Sequence, residues 1–141
     1  MALLSRVADR MYWAARYIER AEDSARVLRA YGDVLADLPP SAGRWGSLVS
    51  LSGSDVRLPA VSGSDEHQVA QFLIADRDHP SSITSAVDAC RENLRTCREV
   101  LPREAWQVVN DLSIYVRGAA VTSVERRRRD RKLARGVEVA A

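Results

Sequence analysis

Apolar residues recur along the first third of the chain at alternating steps of three and four: Leu4, Val7, Met11, Ala14, Ile18, Ala21, Ala25 and Leu28. That spacing places them on one stripe of a single helix, the seam of a bundle or coiled coil. Three of the seam positions are alanine, which lets a neighbouring helix approach closely. Gly32 and then Pro39-Pro40 are expected to bring this long helix to an end. A second seam follows in Ile83, Val87, Cys90, Leu94, Cys97 and Leu101, entered through "DHPSSI", where Ser81 or Ser82 can cap the first free N–H groups. Pro102 closes that helix and opens a third, whose stripe is Trp106, Val109, Leu112 and Val116, to about Gly118.

Between the long helices the pattern changes. Residues 36–64 form a loop-rich insertion with Pro39, Pro40, Gly43, Gly46, Gly53, Pro59 and Gly63 and many serines. Trp45 to Leu51 can make a helical turn or two within it, and Ser64, Asp65 and Glu66 suit the start of a short helix to about Ile74. A last helix is expected over Ser123 to Arg135, with Val124 and Leu133 as its chief apolar residues. No run of residues reads as a central strand. The expected fold is all-α, an elongated bundle of three long and two to three short helices in a single domain over residues 1–141.

Composition narrows the function classes. A chain of 141 residues with 46% hydrophobic positions can bury one core. Its 21 Lys+Arg against 19 Asp+Glu leave a net charge of +2, which does not describe a protein built to bind polyanions. The basic residues do gather near the end, in "ERRRRDRKLAR". That run has the charge of a nucleic-acid footprint but no interleaved aromatics and no helix-turn-helix spacing, so a solvated terminal helix is the better reading. No segment suits a membrane span or a signal peptide, and a cytoplasmic protein is expected. Cys90 and Cys97 fall about 10.5 Å apart on one helix at ~1.5 Å per residue, beyond disulfide reach. They read as small buried apolar side chains. His67 and His79 share no ligand spacing with them, so neither a metal nor a cofactor is expected.

The candidate chemistry lies beside the seams. On the first helix, "RYIERAEDSAR" sets Arg16, Glu19 and Arg20 next to Ile18, Ala21 and Ala25, with Tyr12, Trp13 and Tyr17 interleaved. On the second, "CRENLRTCRE" sets Arg91, Glu92, Asn93 and Arg95 beside Leu94 and Cys97. Arg91 and Arg95 are one turn apart, so their guanidinium forks can converge on one carboxylate or phosphate. If the two charged strips met across the bundle, these seven residues would form one polar cluster. Pairs spaced three or four apart on a solvated helix face account for the same residues at ~0.2–0.5 kcal/mol each.

"LLSRVADRMYWAARYIERAEDSARVL", "DHPSSI", "ACRENLRTCREVLPREAWQVVN" and "RRRRDRKLARG" together resemble, in the same order, the blocks of the bacterial alpha-E domain family. The likeness covers most of the chain apart from the loop at 36–64. It maps the family's glutamate-arginine pair onto Glu19-Arg20, its Arg-Glu-Asn stretch onto Arg91, Glu92 and Asn93, and its Asp-Asn-Pro-Ser-Ser turn onto Asp78 to Ser82. His79 stands where the family pattern has asparagine. The resemblance implies an all-helical domain that accompanies ATP-grasp amidoligases and transglutaminase-like proteases in forming or modifying peptides. It assigns no catalytic residue. It also implies a full domain about twice as long, with a second glutamate-arginine helix. This chain is therefore expected to correspond to the N-terminal half and to pair with itself, with a second alpha-E half, or with an ATP-grasp-type ligase.

The sequence thus favours a non-catalytic helical interaction or accessory module. The alternative is an enzyme component in which Glu19 acts as a base and Arg20 and Arg91 hold an anionic substrate in peptide or amide bond formation. No phosphate loop, nucleophile motif or metal constellation supports that alternative.

Overall fold

The computed structural model describes residues 2–37, 44–51 and 66–120. Five α-helices make up this part of the protein, with no strand among the described residues. They are α1 (Ala2–Ala36), α2 (Arg44–Leu51), α3 (Glu66–Ala75), α4 (Ile83–Arg95) and α5 (103–120), with a 3-10 turn at Arg98–Val100 between the last two. The all-α bundle expected from the periodicity is what forms. The helix expected at Ser123 to Arg135 lies outside the described residues.

α1, α4 and α5 build the body. Ala14 packs with Cys90 and Leu94, whereas Ala21 packs with Ala86 and Val87, so α1 and α4 run in opposite directions. Trp106 and Val109 join the first of these clusters and Val116 the second, which makes α5 antiparallel to α4 and parallel to α1. The alanines of the α1 seam serve as the spacing suggested, since Ala14 and Ala21 are buried where α4 comes close. At the other end of α1, Leu28 and Tyr31 pack on a separate cluster of Leu48, Val49, Val69, Phe72 and Leu73. The short helices α2 and α3 thereby cap one end of the bundle.

Two boundaries depart from the sequence reading, and one seam is covered only in part. Gly32 does not end α1, which runs on to Ala36. A mid-helix glycine costs ~1 kcal/mol relative to alanine, but α1 packs here. The Trp45 ring lies 3.8 Å from where a Gly32 Cβ would stand and is 5.5 Å from the Tyr31 ring. α4 stops at Arg95, short of the seam's end at Leu101. Its last carbonyls are taken by side chains: Asn93 Nδ2 donates to Ala89 O, and Thr96 Oγ1 and Cys97 Sγ donate to Asn93 O. Pro102 also disfavours helical backbone at Leu101. Cys97 and Leu101 reach the core all the same, from the turn. Finally, the α1 seam is covered only in part. Leu4 remains 76% exposed and Met11 44%.

The α3–α4 corner shows why α4 begins where it does. Ser82 is the N-cap, its Oγ accepting from Ser85 N–H at 3.1 Å. Hydroxyls of α4's first turn then donate to the carbonyls leaving α3: Thr84 to Ile74, Ser82 and Ser85 to Asp76, and Ser85 to Arg77. His79 is buried in this corner with its ring 4.4 Å from Phe72, edge to face.

Candidate functional site

The candidate residues on α1 form a local row. Arg16 and Glu19 pair at 2.5 Å, and Glu22 and Arg26 pair at 2.5 Å, all four side chains being more than half exposed. Arg20 lies over the Tyr17 ring at 5.8 Å, and Tyr17 continues a string of rings through Trp13 and Tyr12 at 6.1 and 5.4 Å. The helix spacing accounts for this arrangement, because residues three and four apart share a face.

On α4 the contacts are of another kind. Arg95 grips Glu92 with both Nε and Nη2, at 2.9 and 2.7 Å. The hydrogen bonds from Arg95 hold the Glu92 carboxyl below the usual carboxylate range, and the charges of Arg95, Arg91 and Arg10 act in the same direction. Arg91 turns toward α5. Its Nε donates to Asn110 Oδ1 at 3.0 Å and its guanidinium stands 5.3 Å from the centre of the Trp106 ring. Asn93 faces α1 and accepts from Arg10 Nη1 at 3.3 Å.

The two strips do not join. Among the described residues no hydrogen bond or ion pair links Arg16, Glu19 or Arg20 to Arg91, Glu92, Asn93 or Arg95. Among the described residues the polar link between α1 and α4 is instead Arg10 with Asn93, with Ser24 Oγ donating to Ser81 O just before α4. The polar links between α4 and α5 are Arg91 with Asn110, and Asp88, which accepts from Ser113 Oγ at 3.1 Å and from Arg117 Nη2 at 2.8 Å. Arg10, Asp88, Asn110 and Arg117 are absent from the sequence-based set. Their signal was positional: Asp88 follows the seam residue Val87 directly, and Arg10 precedes Met11. Such flanking positions are where interhelical polar contacts fall in packed helices.

A second feature has no counterpart in the motif reading. An apolar groove of about 490 Å³ runs between α1 and α5 over a floor of Ile83 and Val87. Ile18, Ala21 and Ala25 form one wall and Leu112, Tyr115 and Ala119 the other, with Glu22 the sole charged residue on the lining. Among the described residues, small side chains at Ala25 and Ala119 widen the groove between the two helices. Among the described residues no group of three or more His, Cys, Asp and Glu is placed to hold a metal ion. No described helix is long and apolar enough to cross a membrane.

No curated protein and no solved structure matches the chain significantly. A family model does, over residues 3–139, and its description, a predicted alpha-helical domain with a conserved ER motif, agrees with the helical body. The chain belongs to the Alpha-E family.

Proposed function

We propose that this Alpha-E domain is a non-catalytic helical interaction module that assembles through apolar helix faces, as an accessory to enzymes that form or modify peptide bonds. The observation that carries the reading is the groove between α1 and α5. It offers an apolar slot lined in part by alanine, in which Glu22 is the one carboxylate, and that residue is already paired with Arg26. Such a surface suits an apolar helix stripe far better than a peptide substrate whose bond must be polarised. The charged residues support the same reading. Arg16, Glu19, Glu92 and Arg95 satisfy one another on helix surfaces, while Arg91 is held by Asn110 and Trp106. An ATP-grasp amidoligase or a transglutaminase-like protease is the companion enzyme implied by the family resemblance.

The test is to combine the full chain with a purified ATP-grasp ligase of the same organism and follow both complex formation and ATP-dependent peptide ligation. The expected result is a saturable complex in which Glu19→Gln supports the same turnover as the native domain. Turnover falling more than about tenfold with the complex intact would place Glu19 in the chemistry and overturn the module reading.

A further inference from the structure

Resting on that module reading, we infer that α5 and the groove beside it dock an amphipathic helix of a partner protein, one whose apolar stripe is flanked by arginine or lysine. Besides the stripe that packs on α4, α5 carries a second one, Ala105, Val108, Leu112, Tyr115 and Ala119, at alternating steps of three and four. Leu112, Tyr115 and Ala119 form the α5 wall of the groove, and Val108 and Tyr115 are 66% and 73% exposed. α1 contributes a parallel rail. Because Ala14 shares a cluster with Trp106 and Val109, and Ala21 shares one with Val116, the stretch from Met11 to Ala25 lies level with Ala105 to Ala119. At ~1.5 Å per residue the two rails run together for about 21 Å, roughly four turns.

That length suits a helix laid along the rails, with its apolar residues anchored at successive turns. A small apolar ligand held in the groove would leave Val108 bare, since Val108 lies on the shoulder of α5 outside the lining. An exposed apolar stripe that continues past a groove is the mark of a protein partner.

Charge selects the kind of helix. Glu104 and Asp111 stand seven positions apart on the outer edge of the second α5 stripe, at the flanking position of a heptad. Both are exposed, and neither makes an ion pair among the described residues. The cations of α5 do not offset them. Arg117 is bound to Asp88 of α4, and Arg103, two heptads before it, falls on that same far side. On α1, Glu19 and Glu22 are already paired with Arg16 and Arg26. The uncompensated charge along the docking edge is therefore the pair of α5 carboxylates. Flanking charges of this kind choose the partner of a helical seam, drawing basic helices and rejecting acidic ones.

The test uses two fluorescein-labelled helical peptides of about 20 residues that share one leucine-alanine heptad stripe and differ only in carrying arginine or glutamate at the flanking positions. Each is titrated with the full chain and followed by fluorescence anisotropy at about 50 and 300 mM NaCl. The arginine peptide should bind saturably and at least about fivefold more tightly than the glutamate peptide at low salt, with the difference shrinking at high salt. Glu104→Lys/Asp111→Lys should reverse the preference, whereas Asp9→Lys/Asp23→Lys, an equal change of charge on the face of α1 opposite its seam, should not. Val108→Asp and Tyr115→Asp should weaken both peptides while helical circular dichroism stays unchanged, because both positions are exposed. No saturation by either peptide up to about 300 μM, equal affinities, or a preference indifferent to Glu104→Lys/Asp111→Lys would each overturn the inference. So would a native dimer in sedimentation that Tyr115→Asp dissociates, since a second copy would then be the occupant. A lost peptide preference with the ligase complex intact sinks this docking helix alone, and a loss of turnover in the Glu19→Gln complex sinks the module reading alone.

Discussion

The Arg91 guanidinium is clamped between the Asn110 amide, 3.0 Å from its Nε, and the Trp106 ring, 5.3 Å from its centre. Both partners lie on α5, so a residue that reads in sequence as half of an anion fork spends part of its hydrogen-bonding capacity holding two helices together. Arg91→Lys keeps the charge but loses the planar Nε donor and the stacking. It should lower unfolding stability by about 1 kcal/mol, measured by urea denaturation. Asn110→Ala, which strips the acceptor from a half-buried guanidinium, should cost about 1–2 kcal/mol.

Ser82 gives a sharper effect. It is fully buried, caps α4, and donates to the Asp76 carbonyl. Ser82→Ala removes the cap and leaves that carbonyl one donor short, although Ser85 Oγ still reaches it at 3.2 Å. The expected loss is about 1–2 kcal/mol by thermal or urea unfolding, against no more than about 0.5 kcal/mol for Ser81→Ala beside it.

Glu19 belongs at the other extreme. Its side chain is 58% exposed and its partner Arg16 is one turn away on the same helix. Glu19→Gln should therefore change stability by less than about 0.5 kcal/mol in denaturant unfolding. A loss of 2 kcal/mol or more would show that Glu19 is structural.

Two kinds of group give pH signatures of opposite sign. Hydrogen bonding from Arg95 depresses Glu92, so its contribution is present above the pKa of an unfolded glutamate and is lost as pH falls through its lower folded value. The Glu92 carboxyl resonance should titrate below that of an ordinary glutamate, and Arg95→Ala should move it back up. Burial raises the thiol pKa of Cys90 and of Cys97, so their contribution is present below the unfolded thiol pKa and fades as pH rises toward the folded values. Both thiols should be unreactive to a disulfide reagent at pH 8 in the native protein and react at once in urea.

How much of this was legible beforehand depends on the range of each interaction. The helices follow from a 3.6-residue period that Leu4 to Leu28 and Ile83 to Leu101 display directly. The pairs Arg16–Glu19 and Glu92–Arg95 follow from the same period. Whether the two charged strips meet is a question of how α1 rotates against α4, and one seam on each helix leaves that rotation open by a quarter turn. The structure sets it so that Asn93, not Arg91 or Glu92, faces α1 and takes Arg10. The groove was illegible for a related reason, since it belongs to the space between α1 and α5 and no single stripe encodes it. The early end of α4 needed the side-chain bonds of Asn93, Thr96 and Cys97 to helix carbonyls, which seam spacing does not carry.

The hydroxyls of the α3–α4 corner bear on the order in which the chain acquires its shape. Thr84 bonds Ile74, and Ser82 and Ser85 bond Asp76, partners ten or fewer positions apart, so little loop entropy opposes their meeting. The α4–α5 contacts close over 19 to 29 positions, whereas Arg10 and Asn93 are separated by 83. The corner and the α4–α5 hairpin can thus form as an early nucleus, and α1 docks onto it late, at a rate limited by closing the long intervening loop.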